Sequence, residues 1–220
     1  NMRKVFVLHL VLLSLVLAAT SFAQEKEISK DEYFTPWRTA LQKARGLTRR
    51  IDQTVTKHNK EMPDTDEWQY EYVLPDKVHY TNIRTANGKV QRVEQIDIGK
   101  IKYCKKDDGV WKIVESYCIG GSGSGGPSNI VSDKYYLEKK KVDGREIKVF
   151  RHYTSYKNIY SPNKDTEGLS FDEYIFSLDS SGLIIKEETK KGLINSGKVI
   201  ETNISIYTYD PKIKIQEPLK

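Results

Sequence analysis

Two cysteines, two methionines and four histidines among 220 residues leave little material for thiol, metal or imidazole chemistry. Cys104 and Cys118 have no neighbouring histidines and are too few to complete a tetrahedral zinc site, so no metal is expected. His58, His79 and His152 fall in separate segments, and no serine or cysteine has the setting of a nucleophile elbow. The pattern of a hydrolytic triad is therefore missing. No basic patch interleaved with aromatics stands out, which removes the footprint expected of a nucleic-acid binder. The glycine-rich stretch from Gly120 to Pro127 lacks the Gly-Lys-Ser/Thr ending of a phosphate loop. Only one apolar run is long, and it lies at the start of the chain.

That run has the three-part build of a secretory leader. Met2 and basic Arg3 and Lys4 precede apolar Val5 to Ala19, and Ser21-Phe22-Ala23 suits a cut between Ala23 and Gln24. A membrane anchor would want roughly 20 apolar residues, and no stop-transfer charges follow. The expected division is a signal peptide over 1–23 and one domain over 24–220, with a flexible Gly/Ser loop over 120–128. The mature protein is expected to be periplasmic or secreted. Two of the 36 basic residues go with the leader, and the remaining 34 against 30 acidic ones make a mild surplus. In an oxidising compartment Cys104 and Cys118 are candidates for a disulfide. A hairpin tip at Asp107–Gly109 would set Cys104 opposite Lys112 or Ile113, and Cys118 opposite about Ile98. A bridge then requires a bend before the glycine loop, and free thiols stay open.

One helix is expected, over about 36–45. Thr35 suits an N-cap and Pro36 a first helical residue, while Trp37, Ala40, Leu41 and Ala44 share a face and Gly46 ends the pattern. From Leu47 the texture turns to alternation. Turn signals such as Asn87-Gly88, Asp107-Asp108-Gly109, Asp143-Gly144 and Asn195-Ser196-Gly197 recur at a steady beat. Between them lie ten further strand-like runs, including 110–117, 132–142, 169–178 and 198–209. Short turns and no crossover helices mean antiparallel, up-and-down neighbours. A sheet this large must curl, split or close. The expected fold is mainly β (α+β): a strongly curved antiparallel sheet forming an open half-barrel, with the short N-terminal helix packed on its concave face.

The runs NGKVQRVEQIDIGKIKYCKKDDGVWKI, YYLEKKKVDGREIKVF, FSLDSSGLIIKEETK and TYDPKIKIQEP, with the Gly/Ser loop after the first, resemble the LolA-like family of periplasmic lipoprotein carriers and lipid-binding half-barrels. The likeness spans nearly all of the mature chain and lies in strand and turn spacing. It implies a half-barrel around a greasy cavity for acyl chains. The chain departs from the well-studied carriers in having one convincing helix and a long Gly/Ser loop.

The leading reading is a non-enzymatic envelope carrier or sensor that binds a lipid, or the acyl chains of an acylated protein, without cofactor. Peripheral encounters with the membrane or envelope proteins would accompany that role. The candidate lining is Trp37, Leu41, Tyr174, Phe176, Leu178, Ile200, Ile204 and Ile206, the isoleucines sharing one face of the last strand. Packing of the same residues on the helix is the competing account. No catalytic residue is assigned: Asp97, Asp172, Glu173, Glu187 and Glu188 read as solvated outer-face charges. The alternative reading is a structural or protein-interaction module with a packed core and no ligand.

Overall fold

The structure is a computed structural model and describes residues 25–58, 64–118, 128–158 and 169–218. The expected leader and the glycine-rich run 119–127 lie outside the described residues, as do residues 59–63, 159–168 and 219–220.

A three-residue strand, β1 (Lys26–Ile28), leads into the helix α1 (Lys30–Ala44). This helix starts six residues before the expected position, because its N-cap is Ser29 and not Thr35. The Glu32 amide donates to Ser29 Oγ at 3.2 Å, and the Ser29 amide donates to Glu32 Oε2 at 2.8 Å. This reciprocal capping satisfies donors that the first turn cannot pair internally. Pro36 therefore sits inside the helix, where it forgoes one backbone hydrogen bond. The longer helix adds Tyr33 to its buried face, which continues through Ala40 and Ala44 at intervals of seven and four residues.

Eleven further strands complete one sheet: β2 (Arg49–Lys57), β3 (Asp64–Val73), β4 (Lys77–Ala86), β5 (Lys89–Ile98), β6 (Ile101–Lys106), β7 (Lys112–Val114), β8 (Ser128–Val142), β9 (Arg145–Asn158), β10 (Leu169–Leu178), β11 (Ile184–Leu193) and β12 (Lys198–Thr208). The strand expected over 110–117 shrinks to β7, since the chain after Val114 turns back toward β5. The hairpin residues Asn87-Gly88 and Asp143-Gly144 all have positive φ, as two-residue turns of this hand require.

All pairings among the described strands are antiparallel, in the order β1-β8-β9-β10-β11-β12-β2-β3-β4-β5-β6-β7. Among the described residues the fold is mainly β, one open sheet forming a half-barrel with one helix against it. The connectivity is richer than a single up-and-down path. Two meanders, β2–β7 and β8–β12, meet at a β12–β2 seam, which leaves β7 and β8 near opposite ends of the sheet.

Side chains alternate between an inner face, which carries α1, and an outer face. The inner core gathers Tyr33 and Ala40 of α1 with Tyr135, Phe150, Phe176, Leu178 and Ile184 of the sheet. Tyr33 stands edge-on to Phe176 at 5.1 Å, and Phe150 stacks on Phe176 at 4.7 Å. After β12, Tyr209 donates its hydroxyl to the Ile184 carbonyl at 2.9 Å. The tail then reaches β5 and β6, burying Ile215 against Ile96 and Tyr103 while Tyr103 donates to Glu217 Oε1 at 2.6 Å. It straps the two meanders together.

Candidate functional site: a cavity beneath the helix

Between α1 and the inner face of β9–β12 and β2 lies a cavity of about 450 Å³. Its aromatic wall is Tyr33, Phe34 and Trp37 from α1 with Tyr174 and Phe176 from β10. Its opposite wall is polar: Glu187 and Thr189 of β11, Asn203 and Ser205 of β12, and Gln53 of β2. Such a concave space, apolar on one wall and polar on the other, offers both burial and hydrogen-bond partners to a small ligand.

Register explains the polar wall. Tyr174 pairs with Thr189, Thr189 with Asn203, and Asn203 with Val55, so these residues share one face across four strands. The same register places Ile204 and Ile206 on the outer face, away from α1, and Ile206 and Ile200, the latter at the register shift, are substantially exposed. This corrects the expected lining. The inner row of β12 is Glu201, Asn203, Ser205 and Tyr207, and the aromatic member of that row packs against the core. Trp37, Tyr174 and Phe176 do line the cavity. Leu41 and Leu178 pack in the core beside it and are not part of its wall. Asp97, Asp172 and Glu187 are likewise inner-face residues by register, whereas Glu173 and Glu188 point outward.

Glu187, expected as a solvated outer-face charge, is instead an anchor on the inner face. Its Oε1 accepts the Trp37 indole N–H at 3.1 Å, and its Oε2 accepts the Tyr207 hydroxyl. Both donors are neutral, and no salt bridge to Glu187 occurs among the described residues. Burial, reinforced by the Glu187 charge, pushes the Tyr33 and Tyr207 phenols far above their ordinary range. The carboxylate thus ties α1 to β12 beside the cavity.

A second polar group borders the aromatic wall. His152 stacks on Tyr135 at 4.5 Å and on Tyr174 at 5.9 Å, and its Nε2 meets Asp133. Burial alone would raise the Asp133 carboxyl. Hydrogen bonds from Tyr135 at 2.7 Å and Thr154 at 3.1 Å, together with His152, outweigh it and hold the group below its usual range. Farther along the inner face, burial pushes Asp172 up despite the Tyr156 hydroxyl donated at 3.1 Å. These groups brace the wall, with both oxygens of Asp133 and one of Asp172 engaged in hydrogen bonds.

At the far end of the sheet Cys104 faces Lys112, and the bend after β7 brings Cys118 to it as a disulfide with Cα atoms 6.2 Å apart. The Cys118 amide donates to Gln95 Oε1 at 3.0 Å. Among the described residues no group of three or more His, Cys, Asp and Glu side chains could hold a metal ion.

No protein-family model and no curated protein matches the chain. Among solved structures it is similar to the Mycobacterium tuberculosis lipoprotein LppX, at 11% identity and a TM-score of 0.45 over 86% of this chain and 100% of that one. A LolA superfamily protein from Nitrosomonas europaea aligns at 10% identity and a TM-score of 0.28, over 78% of this chain and 90% of the other. A DUF1329-family protein from Desulfovibrio piger gives 10% identity and a TM-score of 0.28, over 84% and 96% of the two chains.

Proposed function

We propose that the protein is a non-enzymatic carrier or sensor of the cell envelope that holds a lipid, or an acyl chain of a lipidated protein, beneath α1. The observation that carries this reading is the cavity of about 450 Å³ between an aromatic helix face and the sheet. A packed interaction module would instead have a filled interior there. An acyl chain lies against Phe34, Trp37, Tyr174 and Phe176, and the polar end of the ligand turns toward Gln53, Asn203 and Ser205. Each buried methylene is worth about 0.8 kcal/mol, so a chain of about sixteen carbons supplies on the order of 12 kcal/mol before the ordering costs of binding. Such holding requires no acid, base or cofactor. The Cys104–Cys118 bridge supports export, because structural disulfides persist in oxidising compartments.

Displacement of a fluorescent fatty acid from delipidated protein tests the reading, alongside mass spectrometry of lipids that co-purify from envelope fractions. Uptake of acyl ligands, weakened by Phe176→Asn or Trp37→Ala, is expected. A folded, delipidated protein that takes up none would refute it.

A further inference from the structure

The inner face does not end where α1 ends. Across β2–β5 it continues as a second concavity of about 700 Å³, sharing Gln53 with the first. Trp68 and Tyr70 of β3 stack with planes 5° apart and centroids at 5.8 Å, and Tyr80 of β4 stands at 88° to Tyr70. The next inner-face residue along β3 is Asp66. Its short side chain points to Arg84 across the strand pair at 3.9 Å, and does not extend the stack over the far face of Trp68.

We propose that this half of the sheet is a saccharide-binding site, in which a sugar ring lies over the open face of Trp68 as the next layer of the stack. Pyranose rings present apolar C–H faces that suit an aromatic plane, with rims of hydroxyls that both donate and accept. The rim chemistry here fits those hydroxyls. The Gln53 amide nitrogen donates to Ser205 at 3.1 Å and that of Asn82 to the Glu67 carbonyl at 3.3 Å, so both amide oxygens remain to accept. Asp66 and Arg84 neutralise one another at 3.9 Å, and their remaining oxygens and N–H groups suit neutral hydroxyls that both donate and accept.

A cationic head fits less well. An ammonium group wants rings on several sides and a carboxylate at hand. Here the two rings of β3 face one another, and both carboxylates of the concavity are already paired, Asp66 with Arg84 and Glu201 with Lys191 at 3.4 Å. The sugar is that of a free oligosaccharide or the head of a glycolipid. The contacts are the same for both sources, and the inference does not depend on acyl chains binding beneath α1.

Calorimetric titration of the full chain with maltopentaose, an N-acetylglucosamine pentamer, dodecyl maltoside, dodecylphosphocholine and dodecanoate tests this. At least one sugar-bearing probe is expected to bind, and Trp68→Ala is expected to weaken it by about tenfold or more. Dodecanoate binding should stay unchanged in that variant. Tyr117→Ala removes a side chain that is 65% exposed at the same concavity. It leaves the core intact and should weaken the sugar in the same direction. Binding of an oligosaccharide indicates a free glycan, and binding of dodecyl maltoside alone, with the same Trp68 dependence, indicates a glycolipid head. The inference falls if no sugar-bearing probe binds, if Trp68→Ala leaves sugar binding unchanged, or if dodecylphosphocholine shows the same dependence on Trp68. Dodecanoate reports separately on the cavity beneath α1.

Discussion

Trp37 of α1 and Glu187 of β11 both line the cavity and meet directly, the indole N–H donating to the carboxylate at 3.1 Å. Glu187→Leu is expected to leave that N–H and the Tyr207 hydroxyl without their acceptor, costing about 1–3 kcal/mol of stability. Urea denaturation measures the loss. A red shift of Trp37 emission should accompany it, as α1 loses its tie to β11.

Asp172 predicts a pH-dependent gain. Burial raises its folded pKa above the ordinary 3.8, so between 3.8 and that raised value the folded state holds more protons than the unfolded. The associated stability is full below 3.8 and lost as pH rises through the folded value. Asp172→Asn keeps an oxygen for the Tyr156 hydroxyl and removes the desolvated charge. It is expected to stabilise the protein at pH 7 and to have little effect below pH 3.8, as compared by thermal melts at the two pH values.

Alkaline stability follows from the phenols. Burial pushes Tyr70 and Tyr80 up to about 12, and Tyr33 and Tyr207 move further in the same direction. Unfolded tyrosines ionise near about 10. Above that pH the folded state retains more protons, so stability is flat up to about 10 and falls as pH rises toward 12 and beyond. Denaturation midpoints across that range should show the decline, with phenolate absorbance rising together with unfolding.

Gly192 sits at the register shift between β11 and β12. A Cβ there would lie 2.5 Å from the Lys198 carbonyl oxygen and 2.5 Å from the Phe171 ring. Gly192→Ala is expected to cost about 1–3 kcal/mol. Gly46→Ala, where a Cβ would meet nothing within 4 Å, is the matched control and should change the denaturation midpoint little.

The Cys104–Cys118 bridge, with a sequence separation of 14, closes a short loop at the β6–β7 end. Loop-closure entropy puts its contribution at about 3 kcal/mol. Cys104→Ala/Cys118→Ala is expected to lose about that much in chemical denaturation. Alkylation without reductant should add no label to the wild-type protein, while reductant should expose two sites.

Much of the fold was readable because its signals are local. Asn87-Gly88 and Asp143-Gly144 announce hairpins through the φ angles that they tolerate, and alternation marks the strands between them. Ser29-x-x-Glu32 is an equally local signal, and its reciprocal cap, with Tyr33 packed in the core, starts the helix there and not at Thr35-Pro36. Face assignment is a different kind of problem. In β12 the isoleucine row and the row of Asn203, Ser205 and Tyr207 both alternate cleanly, and the choice rests on register with β11 and on Glu187 holding Tyr207 inward. Apolarity alone pointed to the wrong row. Trp37, Tyr174 and Phe176 were recognisable as large residues on apolar stripes. The contribution of Gln53 was not, because it depends on β2 lying beside β12.

The seam between β12 and β2 also governs how the molecule comes together. Every other neighbour within the two meanders is a hairpin partner, formed by chain segments close in sequence, whereas Ile204 pairs with Thr54 only after nearly the whole domain is present. Closing so distant a contact is entropically slow. The two meanders can collapse early, their β2 and β12 edges unpaired until the seam closes. During that wait the edge of β2 is open to any passing strand, and the interval ranks as the aggregation-prone step of folding. A chaperone that shields β2 until β12 arrives would therefore raise the yield of native protein more than one acting on any hairpin.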